Sequence, residues 1–213
     1  MHVAEASRFP GSRDIDDAAQ IWAEATAARD GADDVAGLSL SRPLIEAVLD
    51  SSPASFVLIA RSGDGGAAGF AAVAPVAGAG KTLAEVRYFG VRPGLWGRGV
   101  GDLLLTELRS RLASAGFSGA QLLVYTDNSR AVTLYERLGW QTRGEPAPHP
   151  RTGKPEQRYE ISSSRARAVQ SMSLRQSPGP AGVLARPGAW LGRWPGPAPA
   201  CRVRLVSRDL AAS

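Results

Sequence analysis

The stretch "VRPGLWGRGVG", residues 91–101, is the part of this 213-residue chain that decides its expected fold. It places four glycines between the strand-like run "TLAEVRYFGV" and a helical pattern in which Val100, Leu104, Leu108 and Leu112 share one face. A strand that runs through glycines into a helix presents the first unpaired N–H groups of that helix, with its positive dipole end, at one point. Because glycine lets an anion approach closely, the stretch predicts a phosphate site. A tight turn without a ligand is the alternative.

Two common nucleotide-binding loops do not fit this stretch. A Walker A loop would end in Gly-Lys-Ser/Thr, whereas this loop ends Gly101-Asp102-Leu103, without the lysine or the hydroxyl that magnesium requires. A dinucleotide fingerprint would need its glycines in the first βα unit, whereas Gly97 and Gly99 follow two helices and several strands. Nucleotide hydrolysis and a Rossmann-type site are therefore disfavoured.

The remaining patterns predict one mixed α and β domain over residues 1–162. Helical spacing occurs in "SRDIDDAAQIWAEATAAR", which begins at Ser12, in "RPLIEAVLD" and in "SRAVTLYERLGW". Strand patterns occur in "SFVLIARS" and "AAGFAAVAP", joined by a "GDGG" turn, and in "AQLLVYT" and "EQRYEIS". The predicted order is two helices, three strands, the glycine loop, then helix, strand, helix and strand.

The net charge of +5 belongs to the C-terminal tail. Residues 1–162 carry 17 Lys and Arg against 19 Asp and Glu, a net charge of −2, whereas residues 163–213 carry eight Arg and one Asp, a net charge of +7. The tail is rich in Pro, Gly, Ser and Arg and has no sustained period, so we expect it to be disordered. The tail could be a flexible appendage or a segment translated out of frame. The alternative is a basic arm that binds nucleic acid or a membrane surface, and nucleic-acid binding is disfavoured.

Several function classes have little support in the sequence. No stretch has the roughly 20 apolar residues of a membrane span, and residues 1–10 do not resemble a signal peptide, so we expect a cytoplasmic protein without a membrane partner. Cys201 has no companion at zinc-ligand spacing. His2 and His149 lie in a terminus and a loop, where surface roles are expected. No metal site is predicted.

Two motifs resemble one protein family. "VRPGLWGRGVGDLLL" resembles the acetyl-CoA pyrophosphate loop of the GCN5-related N-acetyltransferases (GNAT), and "DNSRAVTLYERLGW" resembles that family's second signature. The resemblance covers about residues 5–162 and is strongest from Glu85 to Trp140. It implies an α+β (mixed α/β) fold, in which a splayed, mostly antiparallel mixed sheet is flanked by helices. Acetyl-CoA, the implied cosubstrate, would lie between two diverging central strands.

The resemblance also implies roles for residues around this cofactor. Backbone groups at Phe89 and Val91 would bind the pantetheine arm and polarise the acetyl carbonyl. Asn128 would bind the pantetheine or ribose part of CoA, or would only cap its helix. The pyrophosphate would lie on the loop residues Trp96, Gly97, Arg98, Gly99, Val100 and Gly101. Trp96 departs from the family pattern, which often has Arg or Gln there, so the positive charge that an Arg would place near the phosphates is absent.

Acetyl transfer to an amine needs a neutral amine, a polarised carbonyl and a proton for the departing thiolate. Glu85 matches the family's glutamate base, although a strand-end glutamate facing solvent is an equal alternative. Tyr135 matches the family's tyrosine acid, and a phenol with an ordinary pKa of about 10 suits a thiolate of similar basicity. A core aromatic residue is the alternative for Tyr135.

The acceptor is expected to be an amine of a small molecule, peptide or protein. The linker "RDGADD" carries Asp30, Asp33 and Asp34 and often forms a wall of the acceptor site in this family, which suggests a cationic acceptor. A solvated acidic loop is the alternative. A homodimer is left open. The competing functions are a catalytically silent CoA sensor of the same fold and nucleic-acid binding through the tail.

Overall fold

The computed structural model describes residues 1–7, 12–79 and 82–163, so the predicted tail beyond Ser163 lies outside the described residues. The helices in these ranges are α1 (Arg13–Asp30), α2 (Leu38–Asp50), α3 (Val100–Ala115) and α4 (Ser129–Arg137). The strands are β1 (His2–Glu5), β2 (Phe56–Arg61), β3 (Ala67–Pro75), β4 (Leu83–Val91), β5 (Gly119–Tyr125), β6 (Gln141–Pro148) and β7 (Pro155–Ser162). None of the helices in these ranges is both long and apolar enough to cross a bilayer.

The strands form one sheet of order β1-β2-β3-β4-β5-β7-β6. All neighbours are antiparallel except β4 and β5, which are parallel. One face of β2 and β3 packs on α1 and α2, and the other face packs on α3. The apolar residues of β2 and β3 therefore alternate between two cores, which explains why these strands are buried almost throughout. The structure confirms the predicted fold class.

The two central strands separate soon after they pair. The β4–β5 ladder consists of three pairs, from Leu83 with Gly119 to Glu85 with Gln121. Beyond these pairs β4 continues along β3, and β5 continues along β7. A gap therefore opens inside the sheet between residues 86–91 of β4 and residues 122–125 of β5.

An extra residue in β4 changes which face its side chains occupy. Val73 of β3 is opposite Val86, whereas the preceding Ala72 is opposite Tyr88, so Arg87 is an unmatched residue in a β-bulge. In a regular strand Val86 and Tyr88 would share a face. Here Val86 belongs to the α3 core and Tyr88 packs against the α1–α2 core. As a consequence, the side chains of Phe89 and Val91 pack on the α3 side of the sheet, next to the gap.

The sequence patterns missed two strands and part of one helix. β1 has four residues, of which three are exposed, and β6 is exposed throughout, so neither has an apolar alternation. α2 starts at Leu38, four residues earlier than predicted, and contains Pro43 in its interior. Ser163, predicted as the first tail residue, is buried and donates its N–H to the Ser118 carbonyl at 2.8 Å.

Candidate active site

The glycine loop joins the end of β4 to the start of α3 through a short 3₁₀ turn, Pro93–Leu95. Gly97 and Gly99 have φ angles of 76° and 79°, in the left-handed region that other residues rarely adopt. Gly99 is the N-cap of α3 and supplies no side-chain cap. The start of the loop is held by Arg92, whose guanidinium donates to both carboxylate oxygens of Glu24 in α1 at 2.8 Å. The loop is thus fixed on one side and leaves the helix end uncapped.

The uncapped helix end displays a set of free backbone donors. The first bond into α3 is from the Leu103 N–H to the Gly99 carbonyl, at 3.1 Å. Within the described residues, no acceptor is found for the N–H groups of Gly97, Gly99, Val100, Gly101 and Asp102. These donors and the positive end of the helix dipole suit the start of α3 to an anion. The predicted phosphate loop therefore has the required geometry.

Gly101 serves packing as well. A Cβ atom at this position would lie 2.8 Å from the Leu134 Cδ2 atom. The glycine thus lets α4 approach the first turn of α3. No such neighbour exists within 4 Å of a Cβ at Gly97 or Gly99, where the backbone conformation alone requires glycine.

The edge of β4 beside the gap carries unpaired backbone groups. The Arg92 N–H donates to the Ala68 carbonyl across the β3–β4 ladder, at 2.9 Å. Because antiparallel hydrogen bonds alternate, Gly90 also faces β3, whereas Phe89 and Val91 direct their N–H and C=O groups into the gap. The Val91 carbonyl accepts from the Trp96 indole N–H at 2.8 Å. The Phe89 N–H and C=O and the Val91 N–H remain open to a ligand in the gap.

Tyr135 lies across this gap on the α3 side of the sheet. It is 5% exposed, and its ring is 6.2 Å from Phe89 of β4 and 6.2 Å from Tyr159 of β7, measured between centroids. Burial raises the pKa of Tyr135 above its ordinary value, so the phenol is a weaker acid than the ordinary phenol expected from the sequence and remains protonated at neutral pH. No hydrogen bond joins its hydroxyl to another described residue. The position allows both a core role and an acid role.

Glu85 lies at the closed end of the gap and on the opposite face from Tyr135. Its Oε1 accepts from the Gln121 side-chain amide at 3.2 Å, and its Oε2 is 3.3 Å from the Arg87 Nε. Its neighbours Ala84 and Val86 face the α3 core, so the Glu85 side chain points to the α1–α2 side. The structure therefore places Glu85 and Tyr135 on the two sides of one opening and does not bring them into contact.

Family membership follows from comparison with known proteins. The sequence model described as the acetyltransferase (GNAT) family matches residues 18–140, which include the gap, the glycine loop and α4. The chain belongs to the GNAT family. A mycothiol acetyltransferase of Streptomyces scabiei (strain 87.22) is 48% identical over 64 residues, which are 30% of this chain and 21% of that protein. The chain thus spans about a fifth of the length of this curated relative.

Two solved structures share the fold of this GNAT chain. A GCN5-related N-acetyltransferase from Kribbella flavida has a TM-score of 0.59 and 24% identity, covering 76% of this chain and 96% of that one. An aminoglycoside 6'-N-acetyltransferase complexed with coenzyme A has a TM-score of 0.59 and 16% identity, covering 76% of this chain and 97% of that one. Both matches support the arrangement of the sheet and helices described above.

The GNAT chain places the predicted acceptor residues unevenly. Asp30 forms two hydrogen bonds of 2.8 Å with Arg29, and this neighbour lowers the pKa of the Asp30 carboxyl. Asp33 and Asp34 are exposed in the linker between α1 and α2. Of the three carboxylates, Asp33 and Asp34 are the ones without a described ion-pair partner.

Sequence reasoning missed a cation–aromatic cluster beside Asp30. The Tyr125 ring lies 5.1 Å from the Arg29 guanidinium and 5.5 Å from the Lys154 Nζ, and its centroid is 5.6 Å from that of His149. The cluster joins the end of α1 to the end of β5 and to the β6–β7 turn. Its members are far apart in sequence and follow no common motif, so no pattern could have grouped them.

The remaining predicted residues have clear local roles. The Asn128 Oδ1 accepts from the Ala131 N–H at 3.3 Å, which caps α4 and leaves the amide NH₂ group free to donate. Val100 is buried, so only its backbone faces the anion site. Over the described ranges, no group of three or more His, Cys, Asp and Glu side chains is arranged to hold a metal ion.

Proposed function

We propose that this GNAT chain transfers an acetyl group from acetyl-CoA to a primary amine, directly and within a ternary complex. One observation carries the proposal: unpaired backbone groups of β4 line a gap that leads to the free N–H groups at the start of α3. This continuous track suits a molecule that has a thin amide-containing arm at one end and phosphates at the other. CoA has this construction, and the aminoglycoside acetyltransferase of the same fold was solved with coenzyme A.

The proposed cofactor position uses the backbone more than the side chains. The pyrophosphate accepts from N–H groups of Gly97 to Gly101, and the pantetheine arm pairs with Phe89 and Val91 as an added strand would. Asn128, whose amide NH₂ group is free, donates to the same arm or to the ribose. Acceptor amines reach the thioester from the α1–α2 face, where the gap is bordered by Glu85.

In the proposed reaction the amine nitrogen attacks the thioester carbonyl carbon, the C–S bond breaks, and an amide and CoA are formed. A backbone N–H from β4 stabilises the charge that develops on the carbonyl oxygen. Tyr135 gives its proton to the departing thiolate, and the proton lost from the ammonium group leaves through Glu85, directly or through water. The two residues can act at once because they lie on opposite sides of the gap.

The transfer itself is tested by incubating the full chain with acetyl-CoA and a panel of amines, including small amines, polyamines, aminoglycosides, amino acids and peptides. Release of free CoA thiol with at least one acceptor is expected. Binding of CoA without release for any acceptor would instead support the CoA-sensor alternative. Failure to bind CoA would overturn both.

Replacement of Glu85 tests the proposed base. Glu85→Gln keeps the size of the side chain and its hydrogen bond with Gln121 but removes the proton acceptor. We therefore expect the acid limb of the pH profile of kcat/KM for the acceptor to flatten, measured with varied acceptor at saturating acetyl-CoA.

The matched control is Glu160→Gln, which removes a carboxylate from the same sheet face, where Glu160 pairs with Arg143 at 3.2 Å. Its acid limb should match that of the wild type. An unchanged limb in Glu85→Gln would remove Glu85 as the base and leave it as a partner of Gln121 and Arg87.

The acidic linker gives a prediction about acceptor class. We propose that Asp33 and Asp34, and to a smaller extent the paired Asp30, attract a cationic acceptor. Asp33→Asn combined with Asp34→Asn should raise KM for a polyamine or aminoglycoside acceptor by about threefold to tenfold, as expected for two exposed ion pairs. The change should shrink at high salt.

Asp50→Asn combined with Glu107→Gln is the control, because it removes two exposed charges from other helices. Its KM should stay at the wild-type value. If the linker variant also keeps that value for every cationic acceptor, the linker is a solvated acidic loop.

We also propose that the catalytic domain ends near Ser163 and that the basic tail has no role in acetyl transfer. The observations that support this lie in the domain: β7, the last described strand along the chain, pairs with both β5 and β6, and the Ser163 N–H that follows it donates to the Ser118 carbonyl.

A further inference from the structure

Trp96 occupies the loop position where the family pattern often has a positively charged or amide side chain. Its indole N–H is fixed to the Val91 carbonyl at 2.8 Å, so the ring has a defined orientation. The Arg130 guanidinium lies over this ring, 4.0 Å from its centroid. Arg130 comes from the first turn of α4, a different element from the loop. The positive charge that position 96 itself lacks is therefore supplied by Arg130, on the face of the Trp96 ring.

The charges around the loop favour an anion. Asp102, the acidic residue in the first turn of α3, pairs with Arg137 at 2.9 Å. Within the described ranges, no carboxylate forms an ion pair with Arg98 or Arg130. Arg98 belongs to the loop and Arg130 contacts the ring of the loop residue Trp96, so the loop has two arginines without a described carboxylate partner, while Asp102 is paired.

Stacking leaves the hydrogen-bonding capacity of Arg130 intact. A guanidinium over an aromatic face is held through its plane, and its N–H groups point outward along the edge. Arg130 is otherwise exposed, and a free exposed arginine must lose side-chain freedom to bind a ligand. The Trp96 ring removes part of that freedom in advance, so the donors are positioned before the ligand arrives.

We propose that Arg130, positioned by Trp96, binds a phosphate group of CoA. This inference rests on the proposed function, because it concerns the same cofactor site. Trp96 acts as a positioning residue, because its uncharged ring holds the Arg130 guanidinium of α4. Because α4 also carries Tyr135 and follows Asn128, phosphate binding at Arg130 fixes the helix that holds the acid.

The test is calorimetric titration of the full-length chain with CoA, 3'-dephospho-CoA and pantetheine. Arg130→Gln should weaken CoA binding about tenfold, as expected for one charge-assisted hydrogen bond, and leave pantetheine binding unchanged. Trp96→Leu should give a similar loss, whereas Trp96→Phe, which keeps a ring beneath the guanidinium, should retain most of the affinity. The double variant Trp96→Leu with Arg130→Gln should lose little more than either single variant.

The ligand series identifies the phosphate. A loss that disappears with dephospho-CoA assigns Arg130 to the 3'-phosphate, and a loss that persists assigns it to the pyrophosphate; both results support the proposal. Equal losses for CoA and pantetheine, or additive effects of the two substitutions, would overturn it.

The control is Arg13→Gln, which removes an exposed arginine at the start of α1 and should bind CoA as the wild type does. If the wild-type chain does not bind CoA, the proposed function itself fails. If Arg130→Gln binds CoA with wild-type affinity, only the role of Arg130 is contradicted, and the proposed function stands.

Discussion

Tyr135→Phe is expected to lower kcat by about 10²- to 10⁴-fold, the range for loss of general acid catalysis, with little change in KM for acetyl-CoA. The hydroxyl makes no hydrogen bond with any described residue, so its removal leaves no unpaired partner and the fold should persist. The phenol holds its proton throughout the neutral range, and because burial raises the pKa of Tyr135 it does so as a weaker acid than an ordinary phenol. Steady-state kinetics with varied acetyl-CoA measures both constants.

Tyr159→Phe is the matched control for this prediction. Tyr159 belongs to the same buried aromatic group, but its hydroxyl donates to Glu136 at 2.9 Å and does not face the gap. Removal of the Tyr159 hydroxyl should lower the melting temperature and leave kcat close to the wild-type value. A wild-type kcat in Tyr135→Phe would show that Tyr135 is a core aromatic residue and that another donor protonates the thiolate.

Gly99→Val should weaken acetyl-CoA binding by at least about 100-fold, since two charge-assisted hydrogen bonds of about 1.5–3 kcal/mol each would be lost. A valine cannot hold a φ angle of 79° without strain, so the backbone must turn and the N–H groups of the first turn of α3 must move. Calorimetric titration with CoA measures the loss directly.

The other end of the same helix offers the control. Gly116 caps the C-terminus of α3 with a φ angle of 87°, and a Cβ there also meets nothing within 4 Å. Gly116→Val should therefore cost similar stability, about 1–3 kcal/mol, without loss of CoA affinity. Equal CoA affinity in both variants would contradict the phosphate site. Gly101 is less suitable for this test, because a side chain there collides with Leu134 of α4.

The glycine loop and the helix after it could be predicted because their signals are local. The Val100 to Leu112 stripe, the closing Gly116 and the glycines before the helix all act within one or two turns, and the structure has each of them in that role. The hairpin of β2 and β3 was predictable for the same reason, since its apolar runs flank a short polar turn.

Features that depend on contacts between distant segments could not be predicted. The bulge at Arg87 leaves no mark in the residue types of β4, yet it reverses the face of every later side chain in that strand. The sequence predicts that Asp30 is a free carboxylate, whereas in the structure it forms an ion pair with Arg29. The departure at Trp96 was evident from the motif, but the contact of Arg130 with the Trp96 ring depends on the packing of α4 beside the loop.

The gap between β4 and β5 also concerns the exposure of strand edges to other chains. Unpaired strand edges are templates for adhesion between chains, and most proteins keep them at the rim and cover them with charge or proline. Here two such edges lie inside the sheet and meet at the pairs that end with Glu85 and Gln121. A strand from another molecule would have to enter a wedge that closes along its length, whereas a thin ligand fills it. The shape of the gap thus protects both edges from pairing with another chain, without the charges or prolines that an edge strand at the rim would need.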